Sequence, residues 1–318
     1  MKYILIIIFL HFSTFVNAAV NTPFIGNDYK LTHKECLFVV DKIVKFYLNR
    51  ISNYERLSCK DVIQLKNFLR ELSPDIKISV RKIGEYRSFK KSEFREVIPV
   101  SRKIDEKNYY FRIDHFPRNT KKIILDVLKS VKGKNFEYLV IDLRNNTGGI
   151  LNSTIESADL FVPKNKLIST IESRNSNQNM KYYSTNQYFS LGIPKIIILV
   201  SNKTAVGAEL FISILKEYTT SILVGEPTAG IGTVRTVIPV NPDKLLSIVS
   251  GQFYGPNKVK IHGNSITPDI KWAIGKDIND KLENDNLSSI IKTVADYTEG
   301  LKDKVLDLRI DTKKSFTF

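Results

Sequence analysis

Residues that bind metals are scarce in this chain of 318 residues. It has two cysteines and four histidines, and they are scattered without the spacing of a metal site. The sequence therefore predicts no metal site and no bound cofactor. Internal repeats and low-complexity tracts are also absent. The hydrophobic fraction of 42% and the charged fraction of 25% are those of an ordinary soluble globular protein.

Long apolar runs are absent after the first twenty residues, so no later segment is expected to span a membrane. The start of the chain differs, because Lys2 precedes an apolar run at 4–10 and small residues end at Ala18. This pattern predicts a secretory signal peptide over residues 1–18. We therefore expect an exported protein, periplasmic or secreted, without a membrane span after cleavage.

Acidic residues are outnumbered, with 33 Asp and Glu against 48 Lys and Arg and a formal net charge of +15. The basic residues are scattered, and no nucleic-acid-binding motif accompanies them, so we expect no nucleic-acid partner. A solvated basic surface suited to anionic envelopes or acidic partners is the simpler interpretation.

The two cysteines, Cys36 and Cys59, each lie near the start of a predicted helix. Export permits a disulfide. An antiparallel helical hairpin would hold these positions apart, whereas a bridge needs Cα atoms within about 7 Å. The sequence leaves a bridge and two free thiols both open.

The N-terminal part, residues 19–75, is predicted to be helical. A capping box at 32–35 opens one amphipathic helix, and a second begins at Ser58. Residues 76–106 form a short basic connector with possible strands at 76–80 and 97–100.

Residues 107–295 are predicted to form an α/β core of mixed sheet and helices, because strand and helix patterns alternate. The apolar strand at 138–143 is typical of a sheet covered on both faces. Strands are expected at 109–113, 138–143, 196–200 and 222–224, and helices at 120–131, 152–161 and 205–217. An antiparallel extension is expected at 234–240, 245–249 and 258–261, followed by a tail at 296–318 with a strand-like segment at 305–310.

The most specific string is IDLRNNTGG at residues 141–149. It predicts a buried strand that ends in a turn with two residues free of Cβ, where backbone N–H groups can face an anionic oxygen. A simple turn formed by Gly148 and Gly149 is the alternative, and both interpretations stay open.

Five segments, in order, resemble motifs of the S41 family of tail-specific or C-terminal-processing serine peptidases. They are YFRIDHF at 110–116, IDLRNNTGG at 141–149, TAVGAE at 204–209, VGEPTAG at 224–230 and ITPDI at 266–270. They resemble the family patterns Y-I-R-I-x-x-F, I-D-L-R-x-N-x-G-G, T-A-S-A-x-E, V-G-E-x-T-x-G and G-I-x-P-D-I. The resemblance implies an S41 peptidase-like (ClpP/crotonase-like) core.

By this resemblance the nucleophilic serine is replaced by Val206 and the general-base lysine by Ile231. Valine has no nucleophilic atom and isoleucine cannot take a proton, so we expect a pseudo-peptidase in which both side chains fill the site as a packed patch. The residue that supports the lysine aligns near Glu217, and the glutamate of the tricorn-like branch falls close to His262.

Other hydroxyl groups near the nucleophile position belong to Thr204 and Ser201. Either would be displaced from the oxyanion donors by several ångströms, where even about 1 Å costs roughly 100-fold in rate. Thr204 is the rescue candidate. The resemblance implies oxyanion or peptide-binding donors at Gly207 and at Gly148 or Gly149. His115 is interpreted as a surface or loop histidine rather than a base.

The connector 76–106 stands where family members commonly carry a PDZ domain, and it is too short for one. The sequence therefore predicts an exported S41 homologue without proteolysis that binds a peptide, an unfolded protein or a partner protein in the former active-site groove. The alternatives are an active serine-type endopeptidase that uses a displaced hydroxyl such as Thr204, and a basic polyanion-binding protein. The oligomeric state stays open.

Overall fold

A computed structural model describes residues 32–47, 78–82, 100–173, 179–185, 194–272 and 284–314. The signal peptide predicted at 1–18 and the second helix predicted from Ser58 lie outside these residues. Within the described ranges, no helix combines the length and the hydrophobicity that a membrane span requires.

The first helix, α1 (His33–Tyr47), begins at the predicted capping box. The Thr32 amide donates to the Glu35 carboxylate at 2.8 Å, and the Glu35 amide donates to the Thr32 hydroxyl at 3.3 Å. The predicted helix start is confirmed. Cys36 is buried in this helix and disulfide-bonded, and the other cysteine of the chain, Cys59, lies outside the described residues.

The strands form two sheets. They are β1 (Ile78–Lys82), β2 (Val100–Lys103), β3 (Asn108–Arg112), β4 (Tyr138–Asp142), β5 (Leu167–Ser173), β6 (Met180–Tyr183), β7 (Lys195–Val200), β8 (Ser221–Gly225), β9 (Thr233–Pro239), β10 (Lys244–Tyr254) and β11 (Ile270–Lys271). The first sheet has the order β11-β8-β7-β4-β3-β2. All its neighbours are parallel except β2 and β3.

Both faces of the first sheet are covered by helices. The remaining helices are α2 (Thr120–Val131), α3 (Leu151–Asp159), α4 (Gly207–Tyr218) and α5 (Asn284–Lys314). From β4, Leu139 and Ile141 pack in the cluster formed with α2, α3 and α4, whereas Tyr138 and Val140 pack with α5 residues such as Ile290. The predicted α/β class and the doubly covered strand are confirmed.

The second sheet is antiparallel and centres on β10, which pairs with β9 along one edge and with β1 and β5 along the other. The expected extension is confirmed at β9 and β10. The strand expected at 258–261 is wrong, because Pro256–Lys258 forms a 3-10 turn. Asn257 and Lys258 have φ values of 55° and 59°, which interrupt an extended backbone.

The strand-like segment expected at 305–310 is also wrong, because α5 continues to Lys314. Alternation of apolar residues indicated a strand there. The helix is anchored at its start by Leu287, Ile290 and Val294, which recur at helical spacing in the core, and propagation from a formed helix costs little per residue. The helix also passes through residue 296, where the tail was expected to begin.

Candidate functional site

The two most specific motifs meet at one edge of the first sheet. Strands β4 and β7 are parallel neighbours, with Asp142 in register with Leu199. The turn 143–149 follows β4 and the turn 201–206 follows β7. Because the carboxyl ends of parallel strands lie at the same edge, these turns face the crevice where open α/β sheets bind ligands.

Three hydrogen bonds tie the two turns together. The Thr204 hydroxyl donates to the Leu143 carbonyl at 2.9 Å, and the Ala205 amide donates to the Asn146 carbonyl at 2.9 Å. The Asn145 amide donates to the Ser201 hydroxyl at 3.1 Å. The nucleophile turn therefore holds a fixed position relative to the Gly-Gly turn.

Val206 occupies a strained turn between β7 and α4. Its backbone has φ 54° and ψ −107°, and its side chain is only 4% exposed. A β-branched residue at positive φ is a conformational outlier, and such strain costs about 1–3 kcal/mol. A strained strand-to-helix turn of this kind presents the nucleophile in α/β-hydrolases. Here the elbow geometry is present and the hydroxyl is not.

Glu209 links the turn to the loop that carries the base position. Its Oε2 accepts hydrogen bonds from the amides of Val206 at 2.9 Å and Ile231 at 2.8 Å. Its Oε1 accepts from the Gly230 amide at 2.6 Å and from the Thr228 hydroxyl. Sequence reasoning gave this residue no role. An acid three residues after the helix N-cap was the signal that could have found it.

The Glu209 carboxylate is completely buried. Burial raises the pKa of this group above its ordinary value of 4.5, while its four hydrogen bonds act in the opposite direction. Among the residues that the structure describes, no cation lies within ion-pair distance of it. The site therefore satisfies this acid with backbone amides and one hydroxyl instead of a counter-ion.

The three glycines expected as donors lie close together. A Cβ built on Gly207 would lie 3.4 Å from Gly148 Cα and 2.7 Å from the Thr154 hydroxyl oxygen. The Gly148 amide already donates to the Asn146 side chain at 2.7 Å. In the described part of the chain, the amides of Gly149 and Gly207 have no acceptor. These two amides therefore have unused hydrogen-bonding capacity, and their role as donors to a bound oxygen stays a prediction.

Glycine is required at position 149 by its backbone and by its neighbour. Gly149 has φ 152°, and a Cβ there would lie 2.6 Å from the backbone nitrogen of Phe116. The Phe116 amide donates to the Gly148 carbonyl at 2.9 Å. The segment after β3 therefore packs directly against the Gly-Gly turn, and a third motif joins the site.

Ile231 lies at the surface, with 36% of the residue exposed. Its amide is directed to Glu209, and its side chain is left at the protein surface. The expectation that Ile231 and Val206 would seal each other in a packed patch is therefore wrong for Ile231, whereas Val206 does pack into the core cluster.

The other positions that the resemblance indicated lie around this site without a catalytic arrangement. Glu217 is exposed and accepts a hydrogen bond from the Asn257 side chain at 2.7 Å. His262 is partly exposed, and its backbone nitrogen would lie 2.6 Å from a Cβ built on Gly232. The loop around His262, called the 262 loop below, therefore packs tightly against the loop that carries Ile231 and Gly232.

The displaced hydroxyls have structural partners. Thr204 is fully buried, and its hydroxyl also accepts the Ser201 amide at 2.9 Å. The Ser201 hydroxyl accepts the amide of Lys203 at 3.3 Å in addition to its bond across the turns. Neither the Thr204 hydroxyl nor the Ser201 hydroxyl is poised as a nucleophile in this arrangement.

Burial lowers the pKa of His115, which lies in the loop before Phe116.

Comparison with known proteins agrees with the motifs. The sequence model of Peptidase family S41 matches residues 108–272, slightly more than half of the chain. The chain is 27% identical over 203 residues to carboxyl-terminal-processing peptidase 1, chloroplastic, of Arabidopsis thaliana, covering 62% of this chain and 41% of that protein. It is 28% identical over 165 residues to a carboxy-terminal-processing protease of Bartonella bacilliformis, covering 51% and 38%.

The chain thus spans about two fifths of the length of these curated relatives. Among solved structures, a lipoprotein from Streptococcus agalactiae superposes with a TM-score of 0.56 at 18% identity, covering 78% of this chain and 95% of that chain. At that identity the likeness shows the fold alone. The family match confirms the resemblance drawn from the five motifs.

Proposed function

Because the chain belongs to peptidase family S41, we propose that it is an exported member without proteolytic activity that binds a peptide or partner protein in the former active-site groove. One observation carries the proposal. The elbow that presents the nucleophile is intact at Val206, but the side chain there is a buried hydrocarbon.

Acyl transfer by a serine enzyme needs a hydroxyl nucleophile and a base within hydrogen-bond reach. Val206 and Ile231 supply neither. The alternative, an active endopeptidase that uses Thr204, is disfavoured because that hydroxyl is buried and bonded to the Leu143 carbonyl. Proteolysis by this chain would need the elbow turn itself to rearrange.

Peptide binding needs hydrogen-bond donors but neither a nucleophile nor a base. The free amides of Gly149 and Gly207 lie beside the N-terminus of α4, where backbone N–H groups and the helix dipole favour an anionic or carbonyl oxygen. A peptide carbonyl or a terminal carboxylate is the ligand group that fits these donors. Val206 gives the site an apolar floor in place of a reactive group.

Export and domain organisation belong to the same proposal. A disulfide at Cys36 is typical of an oxidising compartment and therefore supports export. The proposed signal peptide is residues 1–18. In the mature chain, a helical region at 19–75 and a short connector at 76–106 would precede the core, and the connector would replace a PDZ domain.

The test is to restore both catalytic groups with Val206→Ser and Ile231→Lys, using Val206→Ala with Ile231→Lys as the matched control. We expect the natural protein and the control to leave unfolded, C-terminally tagged substrates intact and unlabelled by a fluorophosphonate probe. The restored variant should gain labelling at position 206. Turnover by the natural protein that is lost on Ser201→Ala or Thr204→Ala would overturn the proposal.

A further inference from the structure

A pocket of about 240 Å³ opens in the second sheet beside the loop of the base position. Three neighbouring strands, β5, β9 and β10, frame it, and the 262 loop contributes one side. Its described lining includes Glu172, Thr233, Gly251, Gln252, Tyr254 and His262.

The pocket lies at an irregularity in the sheet. The register between β9 and β10 shifts between Val249 and Gly251, which marks a β-bulge, a feature common next to binding sites. A Cβ on Gly251 would lie 2.6 Å from the Glu172 carbonyl, so β10 and β5 approach each other closely there. The backbone conformation at the bulge and at Gly251 therefore helps to determine the shape of the cavity.

The pocket and the former active site share one chain segment. Thr233 in its wall follows Ile231 by two residues, which span at most about 7 Å. The Gly232 carbonyl between them accepts the Phe253 amide of β10 at 3.0 Å. Alternate side chains of an extended peptide are also about 7 Å apart on one face. The spacing of Ile231 and Thr233 along the chain therefore matches the spacing of two alternate side chains of an extended peptide.

The chemistry of the lining is acidic and hydrogen-bonding. Glu172 is its one charged group among the described lining residues, and no lysine or arginine lines it. The Tyr254 hydroxyl lies 3.4 Å from the Gln252 side-chain oxygen, and burial together with the neighbouring Glu172 raises the pKa of Tyr254. The carboxylate therefore lies among neutral polar groups, within a chain of net charge +15.

A cation already lies at this carboxylate. The Lys258 ammonium is 3.8 Å from Glu172 Oε1, and 69% of the lysine side chain is exposed. An ion pair so exposed is screened by water and contributes little to stability. Lys258 thus marks the position of a positive charge that another ammonium group can replace at small cost.

We propose that this pocket is a subsite for a lysine or arginine side chain of the peptide bound in the groove, an inference that rests on the proposed function. Glu172 receives the cationic group, and the side chains of Gln252 and Thr233 supply further oxygen acceptors. An acidic side chain in the same position faces Glu172 and is rejected, so the pocket confers specificity as well as affinity.

The experiment measures fluorescence anisotropy of labelled alanine–serine peptides on the full chain. A single lysine is moved along the peptide, and each peptide is paired with one that has norleucine at that place. We expect one lysine position to bind about fivefold tighter than its norleucine pair. Glu172→Gln should abolish that preference, and Lys258→Ala should preserve or strengthen it.

Glu106→Gln is the matched control, because Glu106 also forms an exposed pair with a lysine, Lys103, but lies away from the pocket. It should leave the preference unchanged. Equal binding of lysine and norleucine peptides at every position would overturn the subsite and leave groove binding intact. A lysine preference that survives Glu172→Gln, in a variant whose unfolding curve matches the natural protein, would also overturn it. Failure of all peptides to bind would instead overturn the proposed function.

Discussion

The amide nitrogen of Val206 lies 2.9 Å from Oε2 of Glu209, and the same oxygen accepts the amide of Ile231 at 2.8 Å. The positions that the resemblance assigns to the nucleophile and the base are therefore tied to one buried carboxylate through their backbones. Neither tether depends on the side chain at position 206 or 231. The backbone positions of residues 206 and 231 can therefore be kept whatever side chains these residues carry.

Glu209→Gln should lower the free energy of unfolding by about 2–4 kcal/mol at neutral pH, because the new amide group faces donors that then lack an acceptor. Urea denaturation measures the change. Glu217→Gln, an exposed position on the same helix, should change the value by less than about 0.5 kcal/mol. Equal effects of the two substitutions would contradict the structural role of Glu209.

The pH dependence of stability should also carry the signature of Glu209. Burial raises its pKa above 4.5 in the folded protein, so the folded state holds the proton more tightly than the unfolded chain. The stabilisation that proton binding by Glu209 gives to the folded state is complete below pH 4.5, and it is lost as the pH rises through the raised pKa. The stability difference between the natural protein and Glu209→Gln should therefore shrink with rising pH. A difference that grows would mean that the four hydrogen bonds outweigh burial.

Val206→Gly tests the strain of the elbow. Glycine tolerates φ 54°, so relief of strain should offset part of the lost packing. Val234→Gly is the control, because Val234 is equally buried in the same cluster and lies in a strand. We expect the loss of unfolding free energy at position 206 to be smaller by about 1–3 kcal/mol. Equal losses in urea denaturation would argue against strain.

Gly207→Ala should be destabilising by about 1–3 kcal/mol, because the new methyl group would lie 2.7 Å from the Thr154 hydroxyl oxygen. Thr154→Ala removes that oxygen, so the double variant should be more stable than the sum of the single effects by about 1 kcal/mol. Gly300→Ala, in helix α5 with no atom within 4 Å, is the control for the glycine-to-alanine change. Additive effects would exclude the contact.

Cys36→Ser should lower the free energy of unfolding by about 2–4 kcal/mol through loss of the disulfide. Unreduced protein should resist thiol alkylation, as mass spectrometry can determine. The natural protein with reductant should match the variant, whose own stability should not respond to reductant. An alkylated Cys36 in unreduced protein would contradict the bridge.

Strands β3, β4, β7 and β8 and helices α2, α3 and α4 could be predicted from the sequence because each has a strong local pattern, whereas β5 and β6 were not predicted. The bounds predicted for helix α2, 120–131, are the observed ones, and the sequence of β4 is a continuous apolar run up to its last residue. Strand β6 was missed because three of its four residues are exposed, so no apolar alternation marks it. Helix α5 was missed because most of its residues are polar, and the described side chains that pack on the sheet form a narrow stripe near its start.

The identities of residues 206 and 231 were enough to predict that the hydroxyl and the amine of the family pattern are missing, since those functional groups belong to the side chains themselves. The order of five motifs determined the family. Tertiary structure alone decided the roles of Glu209 and Thr204 and the strained backbone of Val206. Those properties depend on partners distant in the chain, such as Leu143 for Thr204 and Ile231 for Glu209, which only the folded sheet brings within hydrogen-bond distance.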